Sequence, residues 1–272
     1  MALAKAGFVL GVKPVSALRP HEEVIPAHVK GLASEMKREG VQKDPIIVDQ
    51  DSLTVLDGMH RLAVFDSLGI QNTVCCSVDY SSGAVTLGRW ARVYSATGRS
   101  ILDKLRELEI TKRVTLASAF EELEGRDSGL AMLTSNAAYL PEGNLDLARA
   151  FEIIHELDAM AEPSGWKRSF VPEDDIDISL QSDGNIVLLV RKLRKDDVIN
   201  AGRSGRLFPC KMSMHRIDPR PVAVNFPIAE LNSASSITLR KRLENRREQL
   251  LPADSLYGGR RYKERLLLLD QD

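Results

Sequence analysis

The chain reads as mixed α/β, and three observations carry that class. Between residues 12 and 80, short apolar segments alternate with helix-forming segments in a compact unit. Two of them, Pro45–Asp49 and Leu53–Leu56, flank a Gln50-Asp51-Ser52 turn and read as paired strands. The second runs directly into Asp57-Gly58-Met59-His60-Arg61 and an amphipathic segment, Arg61 to Leu68. The expected architecture is a mixed sheet of α+β type, followed by a second α/β region.

Taken in order, the elements are as follows. Gly7 to Val12 is a short apolar run, well short of a membrane span. Val15 and Leu18 ahead of Pro20 suggest a first strand ending in the loop Pro20-His21-Glu22-Glu23. Pro26 suits the first turn of a helix reaching about Glu39, closed by Gly40, with Leu32 and Met36 on one face. The helix after the glycine motif ends at Gly69, and Val74–Tyr80 is another strand. Residues 81–100, which hold Trp90, Tyr94, Arg89, Arg92 and Arg99, read as a connection. Beyond it come a charged helix (Ile101–Leu108), strand-like pieces at Gly129–Leu133 and Ala137–Leu140, and a long helix (Leu145–Ala161). An apolar strand (Ile186–Val190) and a helix start at Asp196-Asp197-Val198 follow. Residues 202–216 are rich in Gly, Pro and cations, as a functional loop would be. The expected division is a first domain over 1–100 and a C-terminal α/β domain over 101–272 that contributes this loop.

Composition narrows the function classes. The 272 residues are 43% hydrophobic, enough for a substantial core. Charge is balanced, 37 Lys+Arg against 38 Asp+Glu, which gives no support for a nucleic-acid partner. Cys75, Cys76 and Cys210 are the only cysteines, and adjacent residues on a strand point to opposite faces. A disulfide framework is therefore not expected. Cys75 and Cys76 read as small buried hydrophobes. No zinc spacing, signal peptide or membrane anchor stands out, so a soluble cytoplasmic protein without a membrane partner is expected.

The chemistry concentrates at residues 57–61. A glycine between strand and helix allows positive φ and close backbone approach to a ligand. The helix start offers unpaired N–H groups and the positive end of a dipole, which suit phosphate. His60 and Arg61 add donors at the same point, and Asp57 adds an oxygen of the kind Mg²⁺ prefers. Pro20-His21-Glu22-Glu23 reads by itself as a polar loop ahead of a helix, where acids favour the dipole. Beside a nucleotide site, its carboxylate can orient and deprotonate an alcohol. Lys211, Ser213 and His215 alternate, so an extended segment would present all three on one face. They would suit a small zwitterion or anion, or be unrelated polar residues on a strand edge. Trp90 is a core anchor or a pocket wall.

The order Pro20–Glu23 (PHEE), Pro45–Asp49 (PIIVD), Val55–Arg61 (VLDGMHR), Leu68-Gly69 and Val78–Tyr80 (VDY) resembles the ParB/sulfiredoxin-like fold. Within it, the chain is similar to the free L-serine kinases, which add a tryptophan after the first domain and a late Lys-Thr-Thr-Arg-His segment. The resemblance implies phosphoryl transfer from ATP or ADP, with Mg²⁺, to the hydroxyl of free L-serine or a related small hydroxylated metabolite. By position it implies Glu22 and Asp57 as catalytic residues, Asp57 also on the metal. Gly58, Met59, His60 and Arg61 would hold the nucleotide phosphates. Trp90, Lys211, Ser213 and His215 would hold the amino acid. Met59 and Met214 stand where the family has His and Arg. The other reading is a ParB-like nucleotide-binding regulator or DNA-associated switch without kinase activity. A sulfiredoxin-type reductase needs a cysteine in the phosphate motif, where this chain has Met59.

Overall fold

The computed structural model describes residues 3–5, 7–95, 100–125, 128–161, 163–181, 184–233, 241 and 247–270. The chain divides into two compact units. One comprises Met1–Leu87, Lys195–Cys210 and His215–Asp272; the other comprises Gly88–Arg194 and Lys211–Met214. The boundary expected near residue 100 thus falls at 87/88, and most of the chain beyond residue 194 returns to the first unit.

The first unit opens with strands β1 (Leu3–Lys5) and β2 (Phe8–Pro14), helix α1 (Pro26–Glu39) and strands β3 (Val41–Gln42), β4 (Ile46–Asp49) and β5 (Val55–Asp57). Helix α2 (Met59–Ser67), β6 (Asn72–Val78) and the start of β7 (Val85–Ser95) follow. Five strands form a mixed sheet in the order β1-β2-β6-β4-β5. β2 and β6 are antiparallel, β4 runs parallel to β6, and β5 is antiparallel to β4. All four residues of β4 are buried, as a central strand covered on both faces requires. Cys75 and Cys76 are fully buried beside it.

α1 has the bounds its sequence dictates. Pro26 occupies the first turn, and Gly40 caps the C-terminus at φ +67°, its N–H donating to the Met36 carbonyl at 2.8 Å. The first strand differs from expectation. The apolar run ending at Val12 forms β2, while Val15–Ala17 is a 3₁₀ turn. The Val15 N–H donates to the Gln71 carbonyl just beyond the β2–β6 ladder, where the chain turns.

The second unit holds β7 from Gly88 onward, α3 (Ser100–Glu107), β8 (Lys112–Val114), α4 (Leu116–Gly125), β9 (Leu130–Leu133), β10 (Ala138–Leu140) and α5 (Leu147–Ala161). β11 (Lys167–Pro172), α6 (Ile176–Leu180) and β12 (Asn185–Val190) complete the run. Its sheet follows the order β11-β7-β12-β9-β10-β8, with antiparallel neighbours. Ala91, Val93, Leu123, Leu133, Leu140, Val187 and Leu189 share its core.

The expected connection over residues 81–100 is corrected by this unit, since Val85–Ser95 is an eleven-residue strand between β11 and β12. Its polar residues hide the strand pattern because they are buried with partners. The Arg89 Nε lies 2.9 Å from Glu173, and Arg92 and Tyr94 both reach Asp158. Arg99 lies outside the described residues.

The chain then adds α7 (Lys195–Ser204), β13 (Ser213–Ile217), β14 (Arg220–Val222), β15 (Phe226–Pro227) and α8 (Ile228–Ser233). Strands β16 (Arg247–Leu251), β17 (Leu256–Tyr257), β18 (Arg260–Arg261) and β19 (Leu266–Asp270) close it. α7 packs directly on the first unit: a Cβ on Gly202 would sit 2.7 Å from the Thr54 hydroxyl. β14, β19 and β16 form a small sheet, β14 parallel and β16 antiparallel to β19.

Candidate active site

The glycine motif lies at the junction of β5 and α2. Gly58 is the N-cap of α2 at φ +103°, a conformation that L side chains avoid. Its carbonyl accepts the first helical bond, from the Leu62 N–H at 2.9 Å. A Cβ at this position would fall 3.0 Å from the Arg61 guanidinium. Gly58 is thus required by backbone torsion, and a side chain there would also press on the Arg61 guanidinium. Ahead of Leu62, the first-turn N–H groups of α2, Met59's among them, are available to an anion.

Arg61 is mostly buried and spans the motif. One of its terminal nitrogens donates to the Pro45 carbonyl and to Asp57 Oδ2, both at 3.1 Å. Its buried Nε has no hydrogen-bond partner among the described residues. Asp57 Oδ2 also receives Arg220, at 3.2 Å. Burial works to raise the Asp57 carboxyl, but the guanidinium groups of Arg61, Arg220 and Arg260 prevail and hold it well below the ordinary carboxylate range. Asp57 is therefore a permanently ionised oxygen donor and a poor proton acceptor.

The Pro20–Glu23 loop is fastened to this motif from both ends. His21 Nδ1 donates to the Val55 carbonyl of β5 at 2.6 Å. The Ile25 N–H donates to His60 Nε2 at 3.0 Å. Residues after α7 hold the loop's other edge: Phe208 and Glu22 form a parallel bridge, through Phe208 N–H to the His21 carbonyl and Glu23 N–H to the Phe208 carbonyl, both at 2.9 Å. Glu22 is 7% exposed, and its Oε1 lies 3.6 Å from His21 Nε2. A cleft of about 340 Å³ in this unit is lined by Glu22, Val15, Leu18, Met59 and Leu62, among others. Glu22 and the first-turn α2 residues Met59 and Leu62, 37 and 40 positions further along the chain, therefore line one cavity.

His215 completes the polar cluster. It is buried, its Nε2 shares a 2.8 Å hydrogen bond with the Tyr80 hydroxyl, and its ring meets that of His21 edge-on at 5.5 Å. Burial, reinforced by His21, lowers its pKa to about 3 against the opposing pull of Glu22 and Asp57. His215 is thus a neutral imidazole at physiological pH. Burial likewise pushes the Tyr80 phenol up, with Asp49 and Glu22 adding to the effect, so it stays protonated.

The remaining expected site residues belong to the second unit. There the Lys211 ammonium sits 4.8 Å from the centroid of the half-buried Trp90 ring, so Trp90 is a cation platform. Lys211 is not in an extended segment, because its φ is +59° and β13 starts at Ser213. The one-face pattern of Lys211, Ser213 and His215 therefore holds only for Ser213 and His215, which share a side of β13. Met214 alternates to the other side, and its terminal methyl lies against Gly88. Tyr80, Arg220 and Glu264 were missed as site residues. Their only sequence signal was Tyr80's place at the end of the VDY segment. Among the described residues, no group of three or more His, Cys, Asp or Glu side chains is arranged to hold a metal ion.

No family model matches the chain. It is 26% identical over 228 residues to an ATP-dependent L-serine kinase of Staphylothermus marinus, covering 80% of this chain and 89% of that protein. It is 18% identical over 222 residues to the ADP-dependent L-serine kinase SerK of Thermococcus kodakarensis, covering 79% and 89%. Among solved structures it matches a free serine kinase, carrying a glutamate-to-alanine substitution and in complex with ADP, at 16% identity and TM-score 0.69. That match covers 85% of this chain and 96% of the other. The chain thus has the ParB/sulfiredoxin-like fold and, over most of its length, resembles the free L-serine kinases.

Proposed function

We propose that this protein transfers the terminal phosphoryl group of ATP or ADP to the hydroxyl of free L-serine, giving O-phospho-L-serine. The observation that carries the reading is the cleft shared by Glu22 and the first turn of α2. Glu22 and Met59, whose N–H belongs to the turn proposed to bind phosphate, both line it. The names of the two relatives matched over about four-fifths of the chain support the same chemistry. They do not favour a regulator without kinase activity.

In this reading the N–H groups around Gly58 and Met59, with His60 and Arg61, bind the nucleotide phosphates. The serine Oγ forms a bond to the terminal phosphorus as the bond to the bridging oxygen breaks, releasing ADP from ATP or AMP from ADP. The hydroxyl proton passes to the Glu22 carboxylate. Asp57 keeps its charge throughout and orients the site. Its Oδ1, which takes no hydrogen bond among the described residues, would be the oxygen that holds a Mg²⁺. Bound Mg²⁺ would neutralise charge on the phosphates. His215 supplies an uncharged polar wall. Trp90, Lys211 and Ser213 are proposed for amino-acid recognition on the sequence resemblance, and substitution of each should raise the KM for serine.

The test is mass spectrometry of acceptor products after incubation with Mg²⁺, ATP or ADP, and L-serine, L-threonine or homoserine. Phosphoserine formed with one nucleotide supports the reading and names the donor. Product from another alcohol alone reassigns the acceptor, and no product with any acceptor rejects kinase chemistry.

A further inference from the structure

We propose that Glu264, acting through Arg220, is a positioning residue for Asp57, so that the C-terminal strand segment sets the geometry of the active-site carboxylate. The inference deepens the kinase reading and rests on it. Arg220 is buried at the start of β14, and each nitrogen of its guanidinium has a separate task. Nε donates to Glu264 Oε1 at 2.6 Å, one terminal nitrogen to Asp57 Oδ2 at 3.2 Å, and the other to the His215 carbonyl at 2.5 Å. The segment before β19 encloses it. The Arg220 N–H donates to the Arg265 carbonyl at 2.8 Å, and the Tyr262 ring lies 5.6 Å from the guanidinium carbon.

The two carboxylates on Arg220 are unequal. The Glu264 side chain is 7% exposed and close, whereas that of Asp57 is 39% exposed and farther away. Glu264 is therefore the anchor and Asp57 the group that is guided. Of the guanidinium groups around Asp57, Arg61 and Arg220 hydrogen-bond to it, and Arg61 divides one nitrogen between Asp57 and Pro45. Arg220 supplies a second donor to the same Oδ2, from outside that junction. A fork of fixed geometry can do this, and a lysine ammonium cannot.

The experiment is a double-mutant cycle of Glu264→Gln and Arg220→Lys in the full chain, with Glu264→Asp as the charge-preserving variant. Serine-dependent kcat and KM, ADP affinity and thermal unfolding are measured for each. Each single variant is expected to lose about 10–100-fold in kcat and to bind ADP within about twofold of wild type. The double variant should be no worse than the poorer single one, because both act through one chain of contacts. Glu264→Asp should recover part of the loss, which keeps the question answerable if Glu264→Gln fails to fold. Wild-type kcat in a folded Glu264→Gln variant overturns the inference, as does a double loss equal to the product of the single losses. A wild type that phosphorylates no alcohol instead rejects the kinase reading. The positioning claim is then decided by the Asp57 carboxyl ¹³C resonance in labelled protein, which must move in Glu264→Gln and overturns the claim if it does not.

Discussion

Arg220 and Asp57 lie 163 positions apart in the chain and meet as an ion pair of 3.2 Å. The contact joins the β5–α2 junction to β14. It also divides labour between the two acidic site residues. Asp57, flanked by guanidinium groups, stays charged, while Glu22 lines the cleft.

Gly58→Ala tests the phosphate cradle. The substitution forces an L residue to φ +103° and places a methyl 3.0 Å from Arg61. We expect a destabilisation of about 1–2 kcal/mol from the torsion alone and a weaker affinity for ADP by calorimetry. Unchanged ADP affinity would remove the α2 start from the nucleotide site.

Arg61→Lys retains charge but loses the planar fork that spans Pro45 and Asp57. A rise of about tenfold in the ADP dissociation constant, or about 1.4 kcal/mol, is expected. Equal affinity in the variant would mean that Arg61 serves the strand–helix junction only.

The buried His215 makes stability depend on pH. Its folded pKa, about 3, lies below the ordinary value of 6.5. Between those values the unfolded chain takes up a proton that the native state refuses, so stability is full above pH 6.5 and falls as pH drops toward 3. From pH 7 to pH 5 the loss should be about 2 kcal/mol. Urea unfolding at both pH values should show that difference in the wild type and much less of it in His215→Gln. Identical pH dependence in the two proteins would refute the assignment.

Gly129→Ala probes the second unit independently of the chemistry. A Cβ there would lie 2.5 Å from the Leu145 carbonyl oxygen and 2.7 Å from that of Asp146, both backbone atoms. Overpacking of this kind costs about 1–3 kcal/mol, to be read as a lower denaturation midpoint. A wild-type midpoint would show that the Leu145–Asp146 backbone can move aside.

The local elements of the first unit were legible in the sequence because their signals are local. Pro26 and Gly40 bracket α1, and the glycine at position 58 marks the strand–helix junction. β7 escaped notice because buried Arg89 and Arg92 take their partners from Glu173 and Asp158, remote in sequence. Periodicity records hydrophobicity and cannot register a buried charge that is paired. Lys211 was expected to alternate with Ser213 and His215, but its positive φ breaks the extended run. Arg220 and Glu264 carry no motif. They meet because β14 pairs in parallel with β19, whose register partners lie 46 positions apart. Long-range pairing of that kind leaves no local signature.

The central claim is that Glu22 accepts the hydroxyl proton as phosphate moves from nucleotide to serine. Phosphorus NMR of wild type and Glu22→Gln, each with Mg²⁺, the active nucleotide and L-serine, tests it most directly. The account predicts a serine-dependent phosphomonoester signal in the wild type. It predicts a rate lower by about 10²–10⁴ in the variant, with ADP binding retained. A variant that forms phosphoserine at the wild-type rate would contradict it.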